Sequence, residues 1–178
     1  MTLSFETIQP TDYHLVDDLL TTAFASVAES RGREVPLIHQ LRTTYDYQPS
    51  LEMVVKPGHG QVIGHGLLTP VTIRGDRHTT SVLALAPLAV HPDYQGQGIG
   101  SQLMEELESR AQLAGYPAIS VVGDSRYYGR HGFVMAEDFA IHNSLPVPMG
   151  NHLIKALRPG ALAHVGGMLE YPAAFQEI

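Results

Sequence analysis

The chemistry in this chain is concentrated in a short run, Gln95-Gly96-Gln97-Gly98-Ile99-Gly100, followed by Ser101. Glycines at alternate positions let the backbone turn tightly and leave no Cβ between a ligand and the N–H groups. The run lies where an apolar stretch ends at Val90 and a helical pattern begins, with Ile99, Leu103, Leu107 and Ala111 on one stripe. The first N–H groups of a helix have no intrahelical partner and sit at the positive end of its dipole. Together these features make a cradle for an anion such as phosphate or pyrophosphate. A lysine-bearing phosphate loop is excluded, because Gly100 is followed by Ser101 with no lysine nearby. A dinucleotide fingerprint needs a third glycine at 101, where serine stands, and only Asp124 beyond the next strand keeps that reading open. A third pattern, Gln/Arg-x-x-Gly-x-Gly/Ala at a strand–helix junction, fits Gln95, Gly98 and Gly100.

A second concentration is Tyr127-Tyr128-Gly129-Arg130-His131-Gly132-Phe133. On residue type alone, Tyr128 reads as a core aromatic on a short helix. Ten histidines invite a metal site, yet no pair has the spacing that puts two ligands on one helix face, and no metal is expected. His59, His65, His91 and His131 read as ordinary polar positions. Glu34, Asp46, Glu52 and His65 are loosely placed candidates for a general base, each read first as a solvated surface residue. Tyr45 and Tyr47, with the loop Ser144–Gly150, are placed to line an acceptor pocket, although packing is the expected role of both tyrosines.

The elements that must position these groups follow from periodicity and punctuation. Leu3–Ile8 alternates as a strand, Tyr13–Ala25 and Val35–Thr43 read as helices, and Leu51–Lys56 is a strand stopped by Pro57-Gly58. Gln61–Ile73 and Thr79–Val90 form a hairpin around Arg74–Arg77, with pairing expected to be broken or bulged near Pro87. The cradle helix spans Gly98–Ala114 and stops at Gly115. Ala118–Val122 is a buried strand, Arg126–His131 a short helix, and Phe133–Phe139 and Leu153–Leu157 are final strands. The tail Arg158–Ile178 has no clear assignment.

At 178 residues, with 44% apolar and 16% charged side chains, the chain is sized for one α/β domain with a mixed sheet, residues 140–178 included in it. It has no cysteine, which removes disulfides, thiolate metal sites and a cysteine nucleophile. A net charge of −7 argues against nucleic-acid binding. No signal peptide or membrane span is read, and a cytoplasmic location is expected.

The loop and the tyrosine segment, in this order and spacing, resemble the GNAT superfamily of N-acetyltransferases. Within it, the chain is similar to a bacterial subgroup of predicted N-acetyltransferases through Ala86-Pro87-Leu88-Ala89-Val90, Gly123-Asp124 and Glu170-Tyr171 with Phe175. Ser125 stands where that subgroup has proline. The resemblance implies a mostly antiparallel central sheet flanked by helices, with a splayed strand pair at an acyl-CoA site. It implies acetyl-CoA as co-substrate, held by Leu88, Ala89 and Val90 along the strand, by Gln95, Gly96, Gln97, Gly98, Ile99, Gly100 and Ser101 at the pyrophosphate, and by Asp124 and Tyr127. It further implies direct transfer to an amine acceptor, with the Leu88 backbone N–H stabilising the oxyanion and Tyr128 as general acid. A catalytically silent acyl-CoA-binding sensor is the alternative, and a homodimer with the tail at its interface is a further expectation.

Overall fold

The computed structural model describes residues 2–58 and 60–177; Met1, His59 and Ile178 lie outside them. Strand β1 (Ser4–Thr7) leads to helix α1 (Tyr13–Phe24) and helix α2 (Glu34–Leu41). Strands β2 (Glu52–Lys56), β3 (Gly64–Arg74) and β4 (Thr79–Val90) precede helix α3 (Ile99–Leu113). Strand β5 (Ala118–Val122), helix α4 (Ser125–Gly129), and strands β6 (Val134–Met135), β7 (Ile141–Asn143), β8 (His152–Ala156) and β9 (Gly167–Glu170) complete the chain. The hydrogen-bonded order is β1-β2-β3-β4-β5-β8-β6, with β9 on β3 and β7 on β9. Among the described residues β4–β5 and β7–β9 run parallel while β1–β2, β2–β3, β3–β9, β5–β8 and β6–β8 run antiparallel, so the open sheet is mostly antiparallel, as expected.

The residues fall into two compact units. The first holds the chain up to Leu68 together with Ala86–Arg110. There α1 turns Val16, Leu19 and Leu20 inward, α2 turns Leu37, Ile38 and Leu41 inward, and Met53, Val54 and Val55 of β2 are fully buried. Ile99, Leu103 and Leu107 keep the spacing that the sequence shows and bury that stripe of α3. The second unit holds Thr69–Leu85 and Ala111–Glu177. Its core gathers Ile73, Val82, Ala84, Ala118, Ile141, Ile154 and Leu169 from β3, β4, β5, β7, β8 and β9.

The hairpin of β3 and β4 carries one irregularity. The N–H of Gly75 bonds the carbonyl of His78 at the hairpin, and the N–H of His91 bonds the carbonyl of Ile63 at the other end. Twelve positions back along β3 thus accompany thirteen along β4, and the extra residue is a bulge. The Ala86–Pro87 peptide is cis.

One expectation is corrected, and the stretch left unassigned takes its place in the sheet. Phe133–Phe139 is not one strand: β6 has two residues, and Ala136–Phe139 is a 3₁₀ turn closed by Ala140 at φ 54. The tail is ordered: β9 pairs with both β3 and β7, and Phe175 is buried in its own chain, stacked near Tyr171 at 5.0 Å. Among the described residues no helix is long and apolar enough to cross a membrane.

Candidate active site

In the first unit, β4 delivers the chain to a short 3₁₀ turn, Pro92–Tyr94, and then to the glycine loop. The turn is set by His91, whose Nδ1 accepts from the N–H of Asp93 at 3.3 Å. Gln95 folds its side chain back, its Nε2 donating to the carbonyl of Val90 at 2.9 Å, so this residue braces the end of the strand. Gln97 reaches back in the same way to the carbonyl of Asp93. Gly96 and Gly98 sit at φ 73 and 81, in the left-handed region that glycine adopts without strain. A Cβ built on either meets nothing within 4 Å, so both backbones border open space. The Gly98 carbonyl takes the first helical bond of α3, from Gln102 at 3.1 Å. Ile99 is buried and offers a ligand only its backbone. Exposed loop, left-handed glycines and the start of a 15-residue helix lie together at the strand–helix junction, where the spacing predicts them. The strand positions beside it differ: Leu88 and Val90 are half-buried, and Ala89 is buried.

The first unit also contains a cluster the sequence did not assemble. Glu52 of β2 and His65 of β3 are both fully buried, which corrects their reading as surface residues. His65 Nε2 lies 2.7 Å from Glu52 Oε1, Arg42 Nη2 lies 2.6 Å from the same oxygen, and Tyr47 donates its hydroxyl to Oε2 at 2.6 Å. The Arg42 guanidinium stacks over the Tyr13 ring, 3.9 Å from its centre. Burial raises the Glu52 carboxyl, but the hydrogen bonds from His65, Arg42 and Tyr47 outweigh it and bring it down to about 2. Burial, with the carboxylate as partner, pushes the Tyr47 hydroxyl above its usual range. Glu52 is therefore a fixed anion and a weak base. Removing one partner of a buried ion pair leaves the other charge uncompensated, at a cost of about 3–5 kcal/mol. Arg42→Ala is accordingly expected to lower the melting temperature markedly in calorimetry, and a change within the scatter of surface substitutions would contradict this role.

The other candidate bases stand apart from this cluster. Glu34 accepts from Ser30 Oγ at 2.8 Å and borders a cleft of about 760 Å³ that Leu20, Phe24 and Val27 also line. Asp46 is exposed, and Tyr45 is wholly exposed, so Tyr45 neither packs nor lines a pocket. Arg42 was missed altogether, because nothing local marks a buried arginine. His65 had a signal: an imidazole inside the apolar run Ile63-Gly64-His65-Gly66-Leu67.

In the second unit, α4 carries the tyrosines. Its N-cap is Asp124, whose carboxylate accepts from the Arg126 N–H at 2.9 Å and pairs with the Arg126 side chain at 3.0 Å. Asp124, expected at the cofactor, is thus engaged within its own turn. Tyr128 packs edge-on against Tyr127 and Phe133, with ring centres 4.9 and 5.6 Å away. A Cβ at Gly123 would lie 2.5 Å from Tyr128 Cε2, so the glycine seats the ring. Burial, with Tyr127 beside it, raises the Tyr128 hydroxyl above its ordinary value. Tyr127 also lies near His131, ring centres 5.2 Å apart. The loop Ser144–Gly150 leaves Met149 almost fully exposed.

A buried pair on the second unit's sheet sets an acid limit on stability. Ser120 Oγ lies 3.0 Å from His152 Nε2, and burial, helped by His142, pushes the His152 imidazole down to about 4. An unfolded histidine titrates near 6.5, so between about pH 6.5 and 4 the unfolded chain holds the proton that the folded chain refuses. Stability is expected to fall as pH drops through that window, by roughly 3 kcal/mol in all. His152→Gln should flatten that slope in urea titrations; an equally steep slope in the variant would rule the residue out as its source.

Comparison with known proteins agrees with this geometry. Residues 15–133 match the acetyltransferase (GNAT) family. The Escherichia coli (strain K12) protein YhbS, described as an uncharacterized N-acetyltransferase, is 33% identical over 166 residues, covering 93% of this chain and 94% of that one. The Escherichia coli (strain K12) N-acetyltransferase YjhQ, also described as uncharacterized, is 34% identical over 102 residues, 57% of this chain and 56% of its own length. The crystal structure of Escherichia coli YhbS in complex with CoA superposes with a TM-score of 0.85 at 29% identity, covering 98% of this chain and 92% of that one. A GNAT family acetyltransferase from Brucella melitensis in complex with acetyl-CoA gives a TM-score of 0.77 at 27% identity, covering 98% of each. With its glycine loop, sheet order and tyrosine helix, the chain belongs to the GNAT family of N-acetyltransferases.

Proposed function

We propose that the protein transfers an acetyl group from acetyl-CoA directly to a primary amine of a small molecule or peptide, with residues 1–178 acting as one transferase domain. The observation that carries this reading is the exposed loop from Gln95 to Gly98, whose left-handed glycines border open space at the start of α3. The backbone N–H groups of Gly96, Gln97, Gly98, Ile99, Gly100 and Ser101 hold the pyrophosphate. Pairing of β4 with β5 is found at Leu83 and Ala84, and β4 runs on for six residues to Val90. Leu88, Ala89 and Val90 offer that backbone to the amide-rich pantetheine arm as an added strand does. The Leu88 N–H steadies the oxygen of the acetyl carbonyl as charge develops on it.

Tyr128 donates to the departing sulfur. A thiol titrates near 8.5, below even an ordinary tyrosine near 10, so complete transfer from the raised Tyr128 hydroxyl is uphill by at least roughly 2 kcal/mol. Its contribution is a hydrogen bond that stabilises the thiolate, with the proton drawn over as the bond to carbon breaks.

The test is release of free CoA thiol from acetyl-CoA across a panel of amines, after acetyl-CoA affinity has been measured by calorimetry. The protein has no cysteine, so the thiol readout is free of its own background. Binding without thiol release at any pH would replace this reading with a silent acyl-CoA sensor.

A further inference from the structure

We propose that His65 is the group that accepts the proton of the incoming ammonium, through one ordered water, and that Glu52 positions it. This deepens the transfer reaction above and rests on it. The argument lies within the first unit. A Cβ on Gly66 would lie 3.3 Å from Leu88 Cδ1, so these two positions share a face, and alternation along each strand puts their neighbours His65 and Ala89 together on the other. His65 thus flanks the run Leu88–Val90 that carries the acetyl group in the reaction above. The opposite face at this level belongs to α3: a Cβ on Gly66 would meet Leu107 Cδ1 at 2.6 Å and Leu88 Cδ1 at 3.3 Å. His65 points away from that helix, toward the cluster around Glu52.

The cluster determines the tautomer. A carboxylate only accepts, so the ring nitrogen 2.7 Å from Glu52 Oε1 is the one that carries hydrogen. In the neutral ring the lone pair is then on Nδ1. That atom is buried without a hydrogen-bond partner, and Arg42 Nη1 is in the same condition. A buried polar atom left unpaired costs free energy, and such atoms are ordinarily met by an ordered water or a ligand. The groups that face the imidazole are Glu52 from β2, Arg42 following α2 and Tyr47 between α2 and β2, with Tyr13 of α1 beneath the guanidinium; β4 contributes the uncharged Ala89.

The balance is simple. The ammonium gives one proton to His65 and becomes a nucleophile. As the nitrogen–carbon bond forms and the carbon–sulfur bond breaks, Tyr128 gives its proton to the departing sulfur and is reprotonated, through solvent, by the second proton that the nitrogen sheds. The products are an amide, a thiol and a protonated His65 that returns its proton to water.

The experiment compares wild type with His65→Gln, whose amide nitrogen can still donate to Glu52 but whose side chain cannot take a proton. Acetyl-CoA is offered with spermidine, with a peptide bearing a free α-amine, and with an N-blocked peptide bearing one lysine. We expect kcat/KM at pH 7 to fall roughly 10²-fold in the variant, with acetyl-CoA affinity unchanged within about twofold. The deficit should shrink toward pH 9.5, where more of the amine is already deprotonated. A merely structural role would lower the rate by the same factor at every pH. Wild-type turnover with an unchanged or pH-independent ratio overturns the assignment of His65 alone; absence of wild-type turnover on every amine overturns the transfer reaction and this inference with it. Should His65→Gln fail to fold, nitrogen-15 imidazole spectra of the wild type decide: a neutral ring protonated at Nε2 supports the proposal, and one protonated at Nδ1 overturns it.

Discussion

Gly98→Glu is expected to weaken acetyl-CoA binding at least about 10³-fold while leaving the fold intact. The Cβ direction at Gly98 is open, so the new side chain extends into the space above the loop and displaces no protein atom. Two effects then act together. The backbone at φ 81 is one that a side chain adopts at a cost of about 1–2 kcal/mol. A carboxylate about 4 Å from a phosphate charge adds about 4 kcal/mol of repulsion at an effective dielectric of 20, near the 10³-fold mark on its own. Gly98→Ala separates the two, because it keeps the backbone strain and adds no charge; its affinity should stay within about tenfold of wild type. Calorimetry of the folded variants is the measurement. Wild-type affinity in a folded Gly98→Glu protein would remove the cradle from the reaction.

Tyr128→Phe should lower kcat roughly 10²-fold and leave acetyl-CoA affinity within about twofold. The substitution is conservative in packing, since the ring keeps its seat over Gly123 and its edge-on contacts with Tyr127 and Phe133. Only the hydroxyl is lost. Because burial holds that hydroxyl above its ordinary value, Tyr128 remains protonated throughout a practical assay range. The defect should therefore be constant with pH, in contrast to the pH-dependent deficit of His65→Gln. Stopped-flow measurement of the chemical step makes the comparison direct. An unchanged kcat, with chemistry limiting turnover, would reduce Tyr128 to a packing residue.

The elements that carry these two residues were readable in the sequence because the information around them is local. Left-handed glycines before an amphipathic stripe, and a capping aspartate before a short tyrosine helix, depend on neighbours within a few positions. The same holds for Thr79–Val90 and Ala118–Val122, whose observed limits are those read from apolar runs and turn residues. Phe133–Phe139 misled because its apolar residues resemble strand spacing, while Glu137-Asp138 and the left-handed Ala140 close a turn instead.

What the sequence by itself determined was the loop, the helix it opens, the tyrosine segment and, through their joint resemblance, the family. Only the tertiary structure decided the rest. The register of β2 on β3 sets Glu52 opposite Leu67 and Val54 opposite His65, which brings a carboxylate and an imidazole to one face, where Arg42 joins them. The tail became strand only through pairing of Thr72 with Glu170, more than half the length of the chain apart. A side chain's burial and partners depend on which distant strands meet, and no local pattern encodes that meeting; Glu52 read as a surface residue until the sheet placed it at the centre of a charged cluster.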